Sequence, residues 1–157
     1  MTAKQRIEGT LKLAPPLTVY KLSKDSLQME SLWTEVADML APHWDDLFDQ
    51  SMTIGDFREL ALEGWMHIWV AKDRKVRAVA VVERWGCPRK KYCRVLGLAG
   101  KSRDIHKWFD GLREIEEWAR RNGCAAVEMQ IRRNGLQRVL ERHGYSPHSI
   151  VMRKDGI

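Results

Sequence analysis

The chain has 157 residues, 44% of them hydrophobic and 31% charged, which allows one well-packed domain and makes a second independent domain unexpected. No apolar run approaches the ~20 residues of a membrane-spanning helix, and the N-terminus lacks the apolar stretch of a secretory signal. We therefore expect a soluble, cytoplasmic protein with no membrane association. The 27 lysines and arginines outnumber the 21 acidic residues, and the net charge of +6 favours anionic partners.

Cysteine and histidine give no sign of a cross-linked or metal-binding protein. The three cysteines, Cys87, Cys93 and Cys124, are an odd number in a chain large enough to form a core, so reduced thiols are expected. The five histidines do not show the spacing of a tetrahedral metal site. We therefore expect no metal. Most of the seven tryptophans lie in periodic segments and are predicted to pack in the core.

The first part of the chain indicates an arm, a strand and two helices. Residues 1–16 mix charges with glycine and proline, which predicts a flexible arm before a single domain over residues 17–157. Alternation predicts a strand over Leu17–Leu22. A helix follows, starting at Asp25 or Ser26 and ending before Pro42. A second helix is predicted over Thr53–Glu63, with Gly64 as its end.

The middle of the chain is rich in β-formers. Strands are predicted over Trp65–Ala71 and Val76–Trp85, joined by a short polar link that is typical of a hairpin. A turn with a basic run comes next. The mostly apolar segment Tyr92–Ala99 predicts a fourth strand, buried at the centre of the sheet.

The last part alternates helices and strands. A long helix, capped by Ser102 or Asp104, is predicted to run to Asn122-Gly123, with a clear apolar face. A strand over Ala125–Ile131, a short helix over Gly135–His143 and a strand over Ser149–Arg153 follow. The predicted order β-α-α-β-β-β-α-β-α-β defines an α/β (α+β) fold.

Several late motifs resemble one family. The segment from Glu116 to Cys124, which reads EEWARRNGC, is followed by a strand, a helix and the step Gly144-Tyr145. This series resembles the GNAT N-acyltransferase superfamily over roughly residues 17–154. With the segments LGLAG and RNGLQRVL, it is also similar to short GNAT-type proteins of phages, some of them internal virion proteins. The resemblance implies a mixed, mostly antiparallel sheet of about six strands, flanked by about four helices.

The resemblance also implies a cofactor groove for acetyl-CoA or another acyl-CoA. In the family, the fourth and fifth strands separate, and the pantetheine arm bonds the exposed strand edge. The pyrophosphate binds at the start of the following helix. The implied cofactor-binding residues are Gly97, Leu98, Ala99, Gly100, Lys101, Ser102, Arg103, Asp104 and Asn134.

Two departures from the family pattern bear on activity. The loop at Lys101–Asp104 lacks the family's glycines, whereas the segment Arg94–Ala99 matches the phosphate-loop pattern literally and is an alternative location for it. Leu140 stands where many members have a tyrosine that protonates the departing thiolate. Tyr145 and Tyr92 are possible substitutes if the fold turns them inward. No catalytic residue is assigned.

Charged residues add further candidates. Glu83 and Glu128 lie within apolar strands, where either could accept a proton from the acceptor amine. Exposure to solvent on an alternating strand is enough to explain both, and is the favoured interpretation. Basic residues are predicted to surround the cofactor mouth or to form a solvated face; they are Arg89, Lys90, Lys91, Lys101, Arg103, Arg132, Arg133 and Arg138. Nucleic-acid binding is the third interpretation, although no nucleic-acid module signature accompanies it.

Two functional hypotheses follow. The first is a phage acetyltransferase that moves an acetyl group from acetyl-CoA to an amine of a protein or small molecule, with a role in host takeover. The alternative is a catalytically silent protein of the same fold, which binds and modulates a host protein or is part of the virion. The first has acyl-CoA as its partner, and the second has a host protein.

Overall fold

The structure is a computed structural model that describes residues 17–101, 105–132 and 134–157, with the backbone alone for residues 105–108 and 134. The described residues form five strands: β1 (Thr18–Lys21), β2 (Met66–Lys72), β3 (Val76–Cys87), β4 (Lys90–Gly100) and β5 (Cys124–Met129). They also form six α-helices: α1 (Lys24–Gln28), α2 (Glu30–Leu40), α3 (Trp44–Phe48), α4 (Ile54–Leu62), α5 (Ile105–Arg121) and α6 (Asn134–Arg142). A 3-10 helix over Ala41–His43 joins α2 to α3.

The strands form one sheet in the order β1-β2-β3-β4-β5. The first three pairings are antiparallel, and β4 pairs with β5 in parallel, so the chain crosses back through α5 between them. This arrangement confirms the predicted mixed, mostly antiparallel sheet with β4 in its interior.

Helices cover both faces of the sheet. On one face, called the α2 face, Val36 of α2 and Phe57 of α4 are fully buried against strand residues such as Val81. On the other, called the α5 face, Phe109 and Ile115 of α5 pack with Leu140 of α6 and with strand residues, Val95 among them. Removal of these side chains from water is the main source of the fold's stability.

Helix starts were predicted with mixed success. Thr53 forms a capping box with Asp56, as expected of a helix start: each side chain accepts a bond from the other's backbone N–H, at 3.0 and 2.9 Å. The first predicted helix is instead two helices, α1 and α2, because the backbone of Met29 between them is extended rather than helical. Ser23, rather than Asp25 or Ser26, caps α1.

The predicted strand over Ser149–Arg153 is wrong, so the sheet has five strands among the described residues. Residues 145–157 have no regular structure, and Ile150, Val151 and Met152 are exposed. A strand needs a partner as well as alternation, and this tail instead contacts the rest of the protein through an ion pair between Arg153 and Asp49.

The structure also bears on the expected burial of the tryptophans and on membrane-spanning helices. Trp33 and Trp69 are in the core as predicted, but Trp65 is 71% exposed. None of the described helices combines the length and apolar character needed to cross a membrane.

Candidate functional site

Strands β4 and β5 separate partway along their length. Their parallel pairing runs from Lys91 opposite Cys124 to Val95 opposite Met129, and the last link is the N–H of Gln130 donating to the carbonyl of Val95 at 3.0 Å. β5 ends there, whereas β4 continues to Gly100. Among the described residues, no strand pairs with the outer edge of residues 96–100. We call this separation the fork.

A β-bulge in β4 lies at the fork. Val82 pairs with Val95 and Val81 with Gly97, so Leu96 has no partner on β3. As a result, Leu96 and Gly97 both lie on the α2 face, where Leu96 packs on the core and Leu47 covers Gly97. A bulge turns backbone groups out of the regular ladder, which leaves donors available beside the fork.

The structure brings the first cofactor-binding candidates together. Gly97, Leu98, Ala99 and Gly100 form the free segment of β4, and Lys101 follows it as an exposed residue. Ser102, Arg103 and Asp104 lie outside the described residues. Asn134 begins α6, and its side chain is likewise outside the description.

The alternative location of the phosphate loop is wrong. Arg94–Ala99 belongs to β4 and is hydrogen-bonded to β3 over most of its length, so it is strand rather than loop. The other predicted location, at the junction between β4 and α5, stays a prediction, because Ser102, Arg103 and Asp104 are not among the described residues.

The basic residues do not all surround the fork. Arg89, Lys90 and Lys91 are at the hairpin between β3 and β4, at the opposite end of β4 from Gly100. Ten residues of strand separate Lys90 from Gly100, roughly 33 Å at the usual rise. This run therefore does not lie beside the fork, because the length of β4 separates the two.

Arg132 follows β5 and lies beside the fork. Its guanidinium donates to the backbone carbonyl of Leu47 at 3.0 Å, which links the end of β5 to the end of α3. Arg153 of the C-terminal tail pairs with Asp49 in the same turn. Asp49 and Gln50 both have positive φ values, 50° and 60°, which non-glycine residues adopt at a cost. The two arginines thus hold a strained turn over the α2 face of the fork.

A charged row crosses the α2 face just before the fork. Arg94 Nη1 lies 3.4 Å from Glu83 Oε1, and Arg94 Nη2 lies 3.8 Å from Glu128 Oε1. Each of the three side chains is about a quarter exposed, at 27%, 27% and 28%. The sequence allowed two interpretations of Glu83 and Glu128, a buried base or a residue that faces solvent. In the structure each is partly buried and paired with Arg94.

An aromatic pair supports this row. Trp85 Nε1 donates to Glu128 Oε1 at 2.8 Å, and the guanidinium of Arg94 lies 4.5 Å from the Trp85 ring centroid. Tyr92 stacks on Trp85 with ring centroids 4.8 Å apart. Tyr92 is thus on the α2 face near the hairpin, two residues further from the fork than Arg94.

Tyr145 is turned inward on the α5 face. Its hydroxyl is buried without a hydrogen-bond partner among the described residues. Burial raises the pKa of Tyr145 well above its usual value, and the nearby Glu116 and Cys93 add to the effect. Leu140 is buried in the same apolar cluster, so a proton donor there would need a polar partner that this cluster does not offer.

Cysteine and metal chemistry find no support in the described part of the chain. All three cysteines are free, and burial, with Cys124 nearby, raises the pKa of the Cys93 thiol to about 12. A thiol with such a pKa is a poor nucleophile at neutral pH. The described residues contain no group of three histidine, cysteine or acidic side chains able to hold a metal ion.

Sequence reasoning missed the Glu83–Arg94 pair, although a signal was present. Cys87 pairs with Lys90 across the hairpin, so residues whose numbers sum to the same value, 83 and 94 among them, face each other. A tight hairpin at Pro88-Arg89 would have predicted that pair. The contacts of Leu47 with Gly97 and Arg132 join segments about 50 and 85 residues apart and left no local signal.

The sequence matches no protein-family model and no curated protein sequence. The structure, in contrast, is similar to solved acetyltransferases. An aminoglycoside acetyltransferase from an uncultured soil metagenomic sample, solved with sisomicin, has a TM-score of 0.68 at 10% identity, over 90% of this chain and 96% of that chain. An acetyltransferase of Trypanosoma brucei has a TM-score of 0.66 at 12% identity, over 89% and 99%. A glucosamine-6-phosphate N-acetyltransferase of Arabidopsis thaliana has a TM-score of 0.59 at 18% identity, over 88% and 97%. The chain therefore has the fold of the GNAT acetyltransferases.

Proposed function

We propose that this protein is an N-acyltransferase that moves an acyl group, acetyl in the simplest case, from acyl-CoA to a primary amine. The observation that carries the proposal is the fork, where β4 continues to Gly100 after β5 has ended at Met129. A free strand edge offers backbone donors and acceptors to an extended, amide-containing arm, as it would to another strand. The fold of the neighbouring structures supports the same interpretation.

The chain's own groups fit such a donor. The edge of Leu96–Gly100 leads directly to Lys101 and the start of α5 at Ile105. Unpaired N–H groups at a helix start, the helix dipole and a lysine all favour phosphate groups. We therefore propose that residues 97–104 bind the donor, with the backbone as the main source of contacts, and that Asn134 at the start of α6 belongs to the same site.

The acyl-CoA supplies an activated acyl group as a thioester. The amine nitrogen forms a bond to the carbonyl carbon, the carbon–sulfur bond breaks, the sulfur leaves as a thiolate, and one amine proton passes to a base. Backbone N–H groups near the bulge at Leu96 stabilise negative charge on the carbonyl oxygen. Glu83 and Glu128, on the α2 face beside the fork, attract a cationic amine and can accept its proton by way of water.

For the acceptor, we propose only its chemical class, an amine. The similarity of the late motifs to short phage proteins leads us to propose that the protein acts in the cytoplasm of an infected host. Its acceptor would then be an amine of a host protein or a small molecule. We have assigned no side chain as the acid that protonates the thiolate. Most of the catalytic effect would therefore come from holding the amine and the thioester together.

A second candidate function rests on Leu140. It is 4% exposed inside an apolar cluster, at a position where a proton donor would be needed for the thiolate. A protein of this fold without catalysis would bind a host protein or be packaged in the virion. It would capture a stoichiometric partner from host lysate without added acyl-CoA, and an empty capture would contradict it.

Isothermal titration with acetyl-CoA tests the leading proposal. We expect micromolar binding to the unaltered protein and at least a several-fold loss in Lys101→Glu, because the substitution places a negative charge beside the phosphates. Lys90→Glu is the matched control, since it makes the same charge change at the far end of β4 and should leave binding unchanged. Absence of binding of acetyl-CoA and of longer acyl-CoA to the unaltered protein would overturn the proposal, and equal losses in both variants would overturn the location.

A further inference from the structure

A cavity lies between helix α5 and the sheet, and we call it the α5 cavity. Its described walls are almost entirely apolar, and include Val19, Trp69, Ala80 and Leu98 on the sheet, Leu112 on α5 and Met129 on β5. It is partly open to solvent and contains no charged lining residue among the described ones.

The α5 cavity begins at the fork. Leu98 belongs to the free segment of β4, and Met129 is the last paired residue of β5, opposite Val95. From Leu98 the strand register leads inward to Ala80 on β3 and then to Trp69 on β2. Adjacent strands are about 4.8 Å apart, so this row extends roughly 10 Å from the fork beneath α5. Val19 continues the wall on β1.

Two residues of the described lining, Ala80 and Trp69, are consistent with a space left for a ligand. Ala80 presents a single methyl group under the helix, midway along the row. Trp69 is only 6% exposed, and its indole N–H has no hydrogen-bond partner among the described residues. Protein interiors are normally close-packed, and buried donors are normally paired, so a cavity with both features is unusual in a small domain. An apolar cavity excludes water and takes apolar ligands readily.

We infer that the α5 cavity binds the acyl chain of a medium-chain acyl-CoA, which makes the protein selective for acyl groups longer than acetyl. The inference rests on the proposed function, because it requires a thioester held at the fork. A chain that starts between Leu98 and Met129 would have its next carbons inside the cavity, in contact with Ala80 and Leu112. A charged or strongly hydrated acyl group is disfavoured, since the described walls carry no charged side chain to pair with it.

The test compares the affinities of CoA, acetyl-CoA and octanoyl-CoA by isothermal titration. Each methylene moved from water into the cavity strengthens binding about fourfold. Octanoyl-CoA should therefore bind at least tenfold more tightly than acetyl-CoA, even if only part of the chain is buried. Equal affinities for the two would overturn the inference and leave the proposed function intact. Failure of all three ligands to bind would overturn both.

A variant that fills the cavity provides the specific control. Ala80→Leu should abolish the advantage of octanoyl-CoA and leave acetyl-CoA binding unchanged. Ala37→Leu adds the same atoms at a half-buried alanine in α2, across the sheet, and should keep the advantage. An advantage that persists in Ala80→Leu would contradict the location.

A second measurement records the ligand response in the unaltered protein, and uses a variant only to assign the resonance. Octanoyl-CoA should shift the indole N–H resonance of Trp69, identified by its loss in Trp69→Phe, and acetyl-CoA should not. A Trp69 signal that responds equally to both ligands would show that the chain does not enter the cavity, and would overturn the inference.

Discussion

Leu47 packs directly on Gly97, so closely that a β-carbon at Gly97 would overlap the Leu47 side chain. The contact joins the end of α3 to the bulged segment of β4, and it closes the α2 face of the fork. Gly97 is buried, and its φ is not in the left-handed region, so the glycine serves here to leave space for the Leu47 side chain. Gly97→Ala should lower the free energy of unfolding by about 1 kcal/mol, the low end of an overpacking cost, because the tip of the half-buried Leu47 side chain can move; the measurement is urea denaturation.

A double variant separates this contact from other effects. Leu47→Ala opens the space that the new methyl group needs, so Gly97→Ala should cost less in that background, and the coupling should be at least about 0.5 kcal/mol. Gly135→Ala in α6 is the control, because nothing lies within 4 Å of a β-carbon there, and it should be neutral or slightly stabilising. Additive effects of the two substitutions at Leu47 and Gly97 would contradict the contact.

Arg94 holds two carboxylates together on the α2 face. Arg94→Met retains the apolar stem but leaves Glu83 and Glu128 without a cation and removes the stacking over Trp85. We expect a loss of about 1 kcal/mol in unfolding free energy, since the groups are partly exposed. Double variants with Glu83→Gln or Glu128→Gln should recover part of that loss, because each removes one of the two unpaired charges. No recovery in either would show that the charge pairing is not what Arg94 contributes.

The same variant tests the acceptor side of the site. If an amine binds beside Glu83 and Glu128, Arg94→Met frees both carboxylates and should lower the KM for cationic acceptors while leaving acetyl-CoA affinity unchanged. The measurement is the acceptor dependence of CoA release at saturating acetyl-CoA. A higher KM for a cationic amine would exclude the two glutamates as its binding groups.

The sequence predicted the fold because its elements carry strong local signals. The apolar faces of α5 and of the central strands repeat with the periods of helix and strand, and Thr53 with Asp56 forms a recognisable helix start. The tail over Ser149–Arg153 alternates as strongly, yet it has no strand partner, and alternation cannot supply one.

The separation of β4 and β5 was predicted, whereas its use as a cofactor site stays a prediction. Gly97 to Gly100 were expected where two strands separate. The structure has that separation, because β5 ends at Met129, opposite Val95, whereas β4 continues to Gly100. The row of Glu83, Arg94 and Glu128 depends on register between three strands, and the α5 cavity depends on the packing of α5 over Ala80. Both arise from tertiary packing, which composition and periodicity do not specify.

The variant Tyr145→Phe tests whether the buried hydroxyl of Tyr145 acts in catalysis. Tyr145→Phe removes a polar group that has no partner among the described residues, so it should leave the stability unchanged or raise it by up to about 1 kcal/mol. If acyl transfer is detected, the variant should retain its rate, because Leu140 and its neighbours form an apolar wall around this ring. A large fall in kcat with unchanged stability would instead identify Tyr145 as the proton donor. Tyr92→Phe, on the opposite face, is the comparison.

His67 should make the fold sensitive to mild acid. It is 8% exposed, and its ring meets Trp118 edge-on with centroids 4.9 Å apart. Burial and, to a smaller extent, the positive charges of Arg84 and Lys21 together lower the pKa of His67 from 6.5 to about 4. The folded state therefore binds this proton less readily than the unfolded chain does.

The direction of the pH effect follows from that difference. Above pH 6.5 His67 is neutral in both states and its full contribution is present, whereas between pH 6.5 and about 4 the unfolded chain gains a proton that the folded protein resists. Unfolding free energy should fall across that window by at most about 3 kcal/mol, seen as a falling Tm. His67→Phe keeps an aromatic ring against Trp118 and should flatten the decline, and His148→Gln, at an exposed position, should not. A decline of the same size in His67→Phe would assign the acid sensitivity to groups other than His67.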